Sequence, residues 1–262
     1  MAKLPPFPGT TGKRDWRTAF DAIRKLMANG DDTTQVFRIM RALNVGNSPM
    51  NYARLIATDQ GGRLAYERTE LAHVFSQPGY ARQFAPGTIG AAYNHFLEST
   101  GYSADGLAEV SRINAEEDML HPYAWFGRRV RDTHDIWHVL TGYKADESMG
   151  EAALVAFSYA QVGGLGWAFI GAAAALKSIR VTGGTLFARA VWEGYRNGRK
   201  AKWISGEDYE RLLHEPIDVA RARLNIATPV AYQHAQRELG DEMASYLSNR
   251  REANTASEKL AA

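Results

Sequence analysis

From Ala152 to Leu176 the chain carries no formal charge, and this run constrains the fold more than any other stretch. A bilayer span takes about 20 apolar residues, so the length alone would suffice for one. Much of the apolarity is Ala, however, and Ser158, Gln161, Gly163, Gly164, Gly166 and Gly171 interrupt the run. Such modest hydropathy suits a central helix buried in protein better than one facing lipid. A buried helix of this kind needs amphipathic partners from the rest of the chain.

The sequence supplies them. Trp16, Ala19, Phe20, Ile23 and Met27 recur at spacings of three and four, which predicts a helix over Trp16–Ala28. Asp31 to Thr34 reads as an N-cap region for a helix carrying Val36, Phe37, Met40 and Leu43, and Asn44 to Pro49 as a turn cluster. Further helices are expected from Asn51 to Thr58, broken at Gly61-Gly62, and from Leu64 to Phe75. Thr88 should cap a helix carrying Ile89, Ala92, Tyr93 and Phe96. Pro122, tolerated in a first turn, opens a long helix from Tyr123 to Leu140 that Gly142 ends. An apolar helix begins near Gly150, and its glycine-rich course is expected from Leu154 to Leu176. Later helices are expected over Gly184–Lys202, over Glu207–Leu213 and, beyond Pro216 and Pro229, up to Tyr246. No run alternates with period two, so the class is all-α. The expected architecture is a single-domain multi-helix bundle with a helix-turn-helix metal site and an apolar central helix. Residues 1–30 form an N-terminal segment and first helix, 31–226 the helical core, and 227–262 a C-terminal helix and polar tail.

Composition excludes several functions. Lys and Arg number 31 against 29 Asp and Glu, a balance that argues against nucleic-acid binding. Cys is absent, which removes disulfides, thiolate zinc sites and thiol catalysis. The opening MAKLPPFPGTTGKRDW has no apolar core segment, so neither a secretory signal nor a transit peptide is expected, and the location expected is cytoplasmic. Lys259 to Ala262 resemble a cloning-vector linker.

The chemistry concentrates in RDTHDIWHVLTGY, residues 131–143. His134 and His138 are four apart and share one helical face. Asp135 is offset from His134 by about 100° and fits the same wide face. Two neutral imidazoles and a carboxylate are first-row metal donors. A short polar turn after Gly142 returns the chain, which brings Glu151, at the start of the apolar helix, beside them. Glu151 also suits a helix N-terminus electrostatically, so a plain dipole partner is its simpler explanation. A zinc-protease pattern would need Glu directly after the first His, where Asp135 stands. A His-Asp phosphohydrolase would leave the His138 spacing unexplained, and di-iron bundles want Glu-x-x-His pairs that the chain lacks.

This helix, followed by Gly150-Glu151 and an apolar helix, resembles the coenzyme Q (ubiquinone) biosynthesis protein four family. Ala85-Pro86-Gly87-Thr88-Ile89-Gly90-Ala91-Ala92-Tyr93 is similar to the family's Pro-x-Gly-Thr-Leu-Gly-x-x-Tyr segment, and Trp192 to Arg199 to its basic helix. The likeness covers roughly Asp31 to Ile226. It implies a helical, peripherally membrane-associated protein whose metal ligands are His134, Asp135, His138 and Glu151. The family pattern places eleven residues between the second His and the Glu, one fewer than here, and Glu147 in the same turn is the alternative ligand. The implied activity is oxidative decarboxylation of a polyprenylated 4-hydroxybenzoate-type ring. The alternative is a non-catalytic prenyl-lipid-binding organiser of a quinone-biosynthesis complex. Zinc is the first expectation for the metal, with magnesium, manganese or iron as alternatives. Implied partners are a prenylated quinone precursor or isoprenoid lipid, a membrane surface and other quinone-biosynthesis proteins.

Two further groups carry expectations. Leu154, Gly163, Gly166 and Phe169 could line a prenyl groove, with close helix packing as the plainer use of the glycines. Arg196, Arg199, Lys200 and Lys202, interleaved with Trp192, Tyr195 and Trp203, form either a solvated face or a membrane contact. Arg131, three residues before His134, could meet a substrate carboxylate or pair with Asp135.

Overall fold

The computed structural model describes residues 12–30, 32–111 and 121–240. The expected linker at Lys259–Ala262, most of the opening segment and the end of the last helix lie outside them. The described helices are α1 (Trp16–Ala28), α2 (Thr33–Leu43), α3 (Asn47–Ile56), α4 (Asp59–Glu67), α5 (Leu71–Phe75), α6 (Ile89–Thr100) and α7 (Gly106–Ser111). They continue with α8 (Pro122–Asp132), α9 (His134–Thr141), α10 (Ser148–Val162), α11 (Leu165–Thr182), α12 (Leu186–Lys200), α13 (Tyr209–Leu212) and α14 (Ile217–Leu224). A last helix, α15, occupies 230–240. Among the described residues there is no strand, only an isolated bridge between Thr88 and Pro216, so the all-α class holds.

Several helix ends follow the side chains that cap them. Asp15 accepts from the Thr18 amide at the start of α1, and Thr88 from the Ala91 amide at the start of α6. Gly142 ends α9 in the left-handed region at φ +78°.

The uncharged run folds as two helices, not one. Gly163 (φ +70°, ψ −162°) and Gly164 (φ +96°, ψ 122°) adopt conformations closed to other residues and separate α10 from α11. Three asparagines from the preceding turn cluster and α3 stitch the break. Asn47 and Asn51 both donate to the Val162 carbonyl, at 3.1 and 2.7 Å, and Asn44 accepts from the Gly166 amide at 2.7 Å. One orphaned carbonyl of α10 and one orphaned amide of α11 are thereby satisfied. No described helix is long and apolar enough to cross a membrane.

The expected helix from Tyr123 to Leu140 is also two, α8 and α9, divided at Thr133. There the Thr133 hydroxyl donates back to the Arg129 carbonyl at 2.9 Å, a local bond that competes with the helical ladder. Gly61-Gly62, expected as a break, lies inside the first turn of α4. Thr58 caps that turn, and Gly61 packs against the Leu55 carbonyl so closely that a Cβ would collide with it. Helix α14, entered at Pro216, falls between Pro216 and Pro229, where the sequence assigns no helix.

The main core gathers Ile136, Trp137 and Leu140 of α9, Leu154 and Phe157 of α10, Phe187 and Val191 of α12, and Tyr93, Tyr209 and Tyr232. Its tightest seam joins α10 to α12. A Cβ on Gly194 or Gly198 would run into the Ala153 or Phe157 backbone, so these two glycines let the helices touch main chain to main chain. Close helix packing also falls to Gly166, where a Cβ would press on Met40 of α2, while Gly163 and Gly164 close on the Asn47 and Asn44 side chains. A second core joins Ala19, Ile23 and Leu26 of α1 and Ile39 and Leu43 of α2 to Val155 and Ile170. A third sets Leu55 and Leu64 against Trp125 and Phe126.

Candidate metal centre

His134 opens α9, Asp135 follows in its first turn, and His138 lies one turn on. Glu151 sits in the first turn of α10. The turn between them closes tightly because residue 150 is Gly: a Cβ there would collide with the Lys144 backbone. That closure brings Glu151 over the two imidazoles. His134, His138 and Glu151 each offer a ligand atom, and these atoms lie within 4.8 Å of one another. His138 Nε2 is 3.3 Å from Glu151 Oε1, and His134 Nε2 is 3.8 Å from Glu151 Oε2. The imidazole rings meet edge to face, with centroids 4.8 Å apart.

Neighbouring groups hold these side chains. His138 Nδ1–H donates to the Tyr143 carbonyl at 2.8 Å, which leaves its lone pair on Nε2, and Phe96 stacks on the ring. Asp135 Oδ1 lies 3.5 Å from His134 Nδ1. Burial disfavours the His134 imidazolium, but the carboxylates of Asp135 and Glu151 outweigh it, and its pKa is raised. Burial likewise opposes the Glu151 carboxylate, yet His138 and His134 hold its pKa below the usual range.

The donor set fits a divalent metal. His138 Nε2 and His134 Nδ1 are buried without a hydrogen-bond partner. A lone pair 3.3 Å from a carboxylate oxygen is favourable only with a proton or a metal cation shared between them, and two imidazoles with one Glu are a donor set that zinc accepts with a coordination position left open. Asp135 stands beside His134 rather than in the three-residue cluster, where a carboxylate orients a ligating imidazole. Glu147 is directed away, since its carboxylate accepts from Tyr232 Oη and from Gln236 Nε2.

The other expected residues are dispersed. The Arg131 guanidinium pairs with Asp132, at 2.6 Å, rather than with Asp135. Leu154 is sealed in the main core, Gly163 lines a cavity at the far end of α10, and Gly166 lies under Asn44 and Met40. Phe169 packs edge-on against Trp16 and Phe20. Arg196, Arg199, Lys200 and Lys202 are on or beyond the last turns of α12, the first three exposed and Lys202 exposed to solvent as well. Sequence reasoning missed Arg221, which donates to the Leu140 and Val139 carbonyls at 2.9 and 3.0 Å and so caps α9. It also missed Glu193, which accepts from the Ala231 and Tyr232 amides at the start of α15.

Comparison with known proteins places the sequence in a family. The family model of coenzyme Q (ubiquinone) biosynthesis protein Coq4 matches residues 46–230. A mitochondrial ubiquinone biosynthesis protein coq4 of Pyrenophora tritici-repentis is 30% identical over 202 residues, covering 71% of this chain and 63% of that protein. A mitochondrial ubiquinone biosynthesis protein COQ4 homolog of Danio rerio is 33% identical over 145 residues, covering 55% and 51%. The chain thus spans between half and two thirds of the length of these relatives. A crystal structure from Nostoc punctiforme PCC 73102, of a protein provisionally named for ubiquinone biosynthesis, shares the fold. It has a TM-score of 0.59 at 18% identity and covers 82% of this chain and 100% of its own. By its sequence from residue 46 to residue 230, the chain belongs to the coenzyme Q (ubiquinone) biosynthesis protein Coq4 family.

Proposed function

We propose that the chain serves ubiquinone biosynthesis as a metal-dependent oxidative decarboxylase of a polyprenylated 4-hydroxybenzoate-type ring, with His134, His138 and Glu151 as ligands and Asp135 orienting His134. The observation that carries this reading is the buried, unpartnered His138 Nε2 at 3.3 Å from Glu151, with His134 Nε2 at 3.8 Å from the same carboxylate. A divalent ion there would supply Lewis acidity toward the ring carboxylate or phenolate. Replacing the carboxylate by hydroxyl releases carbon dioxide and consumes an oxidant of the dioxygen class, which favours a redox-active ion such as iron over zinc for that half of the reaction.

The protein's own residues supply the rest. Glu151 balances the cation's charge, and the Tyr143 carbonyl fixes the tautomer that leaves His138 Nε2 free to ligate. Arg131 acts through Asp132, whose other oxygen accepts from the Ala72 amide and so ties α8 to α5. The prenylated substrate is membrane-borne, and the exposed Trp192 with Arg196, Lys200 and Lys202 suits contact with an anionic bilayer surface.

The test is rescue of ubiquinone synthesis in cells lacking the decarboxylation step, with the carboxylated precursor quantified. The wild-type chain should restore synthesis, and His138→Ala and Glu151→Gln should leave the precursor accumulated. Full rescue by a variant that holds no metal would overturn the decarboxylase and leave a lipid-binding organiser in its place.

A further inference from the structure

A cavity of about 350 Å³ opens at the far end of α10, a full helix length from Glu151, between α3 and α12. Asn51, Arg54, Tyr159, Gln161, Tyr195 and Arg199 are on its wall, and the wall carries no acidic residue. The two amide side chains there are committed to the fold. Asn51 donates to the Val162 carbonyl, and Gln161 donates to the Gly198 carbonyl while accepting from the Ile204 amide. Two guanidinium groups remain. Among the described residues neither Arg54 nor Arg199 has a carboxylate within 4.0 Å, while seven other arginines of the chain do.

Arg54 is also held in place. Its guanidinium lies over the Trp203 ring, 4.3 Å from the centroid, and Phe126 backs that ring. A guanidinium seated over a ring keeps N–H donors for a further partner, and its fork suits a tetrahedral oxyanion. Partial burial without a counter-charge lowers its pKa, which marks a cation that an anion would stabilise.

A ladder of rings leads to the same opening. Trp192 is 60% exposed and lies 5.3 Å from Tyr195, and Tyr195 stacks on Tyr159 at 5.8 Å. Met50, 58% exposed, stands on the opposite rim. Exposed aromatic and Met side chains around paired cations are what a headgroup meets at a membrane surface.

We propose that Arg54 and Arg199 form a binding site for a phosphate monoester, distinct from the His134–His138–Glu151 centre and independent of the metal reading. The ester is either the headgroup of an anionic lipid or a soluble phosphate, and the chemistry of recognition is the same for both.

The test uses the full chain treated with chelator, so that phosphate cannot report on a metal. Glycerol 3-phosphate is titrated calorimetrically, and co-sedimentation is measured with phosphatidylcholine vesicles with and without phosphatidic acid. Arg199→Gln, an exposed substitution that leaves packing intact, should weaken binding of the soluble ester about tenfold, as loss of one charged hydrogen-bonding partner does. Arg54→Lys keeps charge but loses the fork, and should weaken it as well. Binding to both probes, with the soluble ester displacing the protein from phosphatidic acid vesicles, upholds the site and assigns it to a headgroup. Binding to the soluble ester alone upholds it and assigns it to a free phosphate. Absence of binding to either probe, or undiminished binding in both variants, overturns the proposal.

Discussion

The Nδ1–H of His138 and the carbonyl of Tyr143, 2.8 Å apart, join the last turn of α9 to the chain just beyond Gly142. The bond points the ring's lone pair toward Glu151, and the first prediction follows from that direction. Purified protein should hold one divalent ion per chain by elemental analysis. His138→Ala should hold none, and Glu151→Gln should hold it more weakly. Stoichiometric metal in a variant lacking both His134 and His138 would place the ion elsewhere.

Asp135 addresses His134 without entering the three-residue cluster. Replacing an orienting carboxylate of this kind costs about 10–100-fold in metal affinity. Asp135→Asn should therefore bind the ion within that range of the wild type, measured by competition with a chromophoric chelator. A complete loss, equal to His138→Ala, would make Asp135 a direct ligand.

Tyr209 closes a buried relay: Trp137 Nε1 donates to its hydroxyl at 2.6 Å, and the hydroxyl donates to the Ile204 carbonyl at 2.9 Å. Tyr209→Phe strands both partners and should cost about 1–3 kcal/mol in denaturant melts. Burial, opposed by Trp137 and Arg129, pushes the phenol pKa up to about 12. Because the folded value exceeds the unfolded one of about 10, this group withdraws stability as pH rises from about 10 toward 12. The alkaline decline should be shallower in Tyr209→Phe, once its lower starting stability is subtracted.

Gly61 and Gly62 are neighbours in one helical turn with opposite surroundings. A Cβ at Gly61 would strike the Leu55 carbonyl, whereas one at Gly62 meets nothing within 4 Å. Gly62→Ala should stabilise by about 0.5–1 kcal/mol through the lost chain entropy of glycine. Gly61→Ala should instead cost about 1–3 kcal/mol, as overpacking does. Thermal melts of the two variants should move in opposite directions.

These contrasts also show what the sequence makes legible. Trp16–Ala28 was readable to the residue because its apolar residues recur on one helical face, and the Asp15 cap begins the helix at the same place. His134, His138 and Glu151 were readable because helical spacing and one short turn decide where they meet. The breaks at Thr133 and Gly163 were not, since both depend on distant or competing hydrogen bonds. Asn47 and Asn51 reach Val162 across more than a hundred residues, and no local pattern announces such a bond. Gly61-Gly62 misled for the converse reason, because a glycine demanded by close packing looks like one that ends a helix. Arg221 and Glu193 cap helices far from them in sequence, and the cavity between α3 and α12 has no sequence signature at all.

The second core crosses the boundary of the family match. The match to the family begins at residue 46, just after α2, yet Val155 and Ile170 share a buried cluster with residues of α1 and α2. In this chain the N-terminal hairpin is the lid of a hydrophobic face that belongs to the shared part. Removing α1 and α2 from this chain would leave Val155 and Ile170 facing solvent on that side.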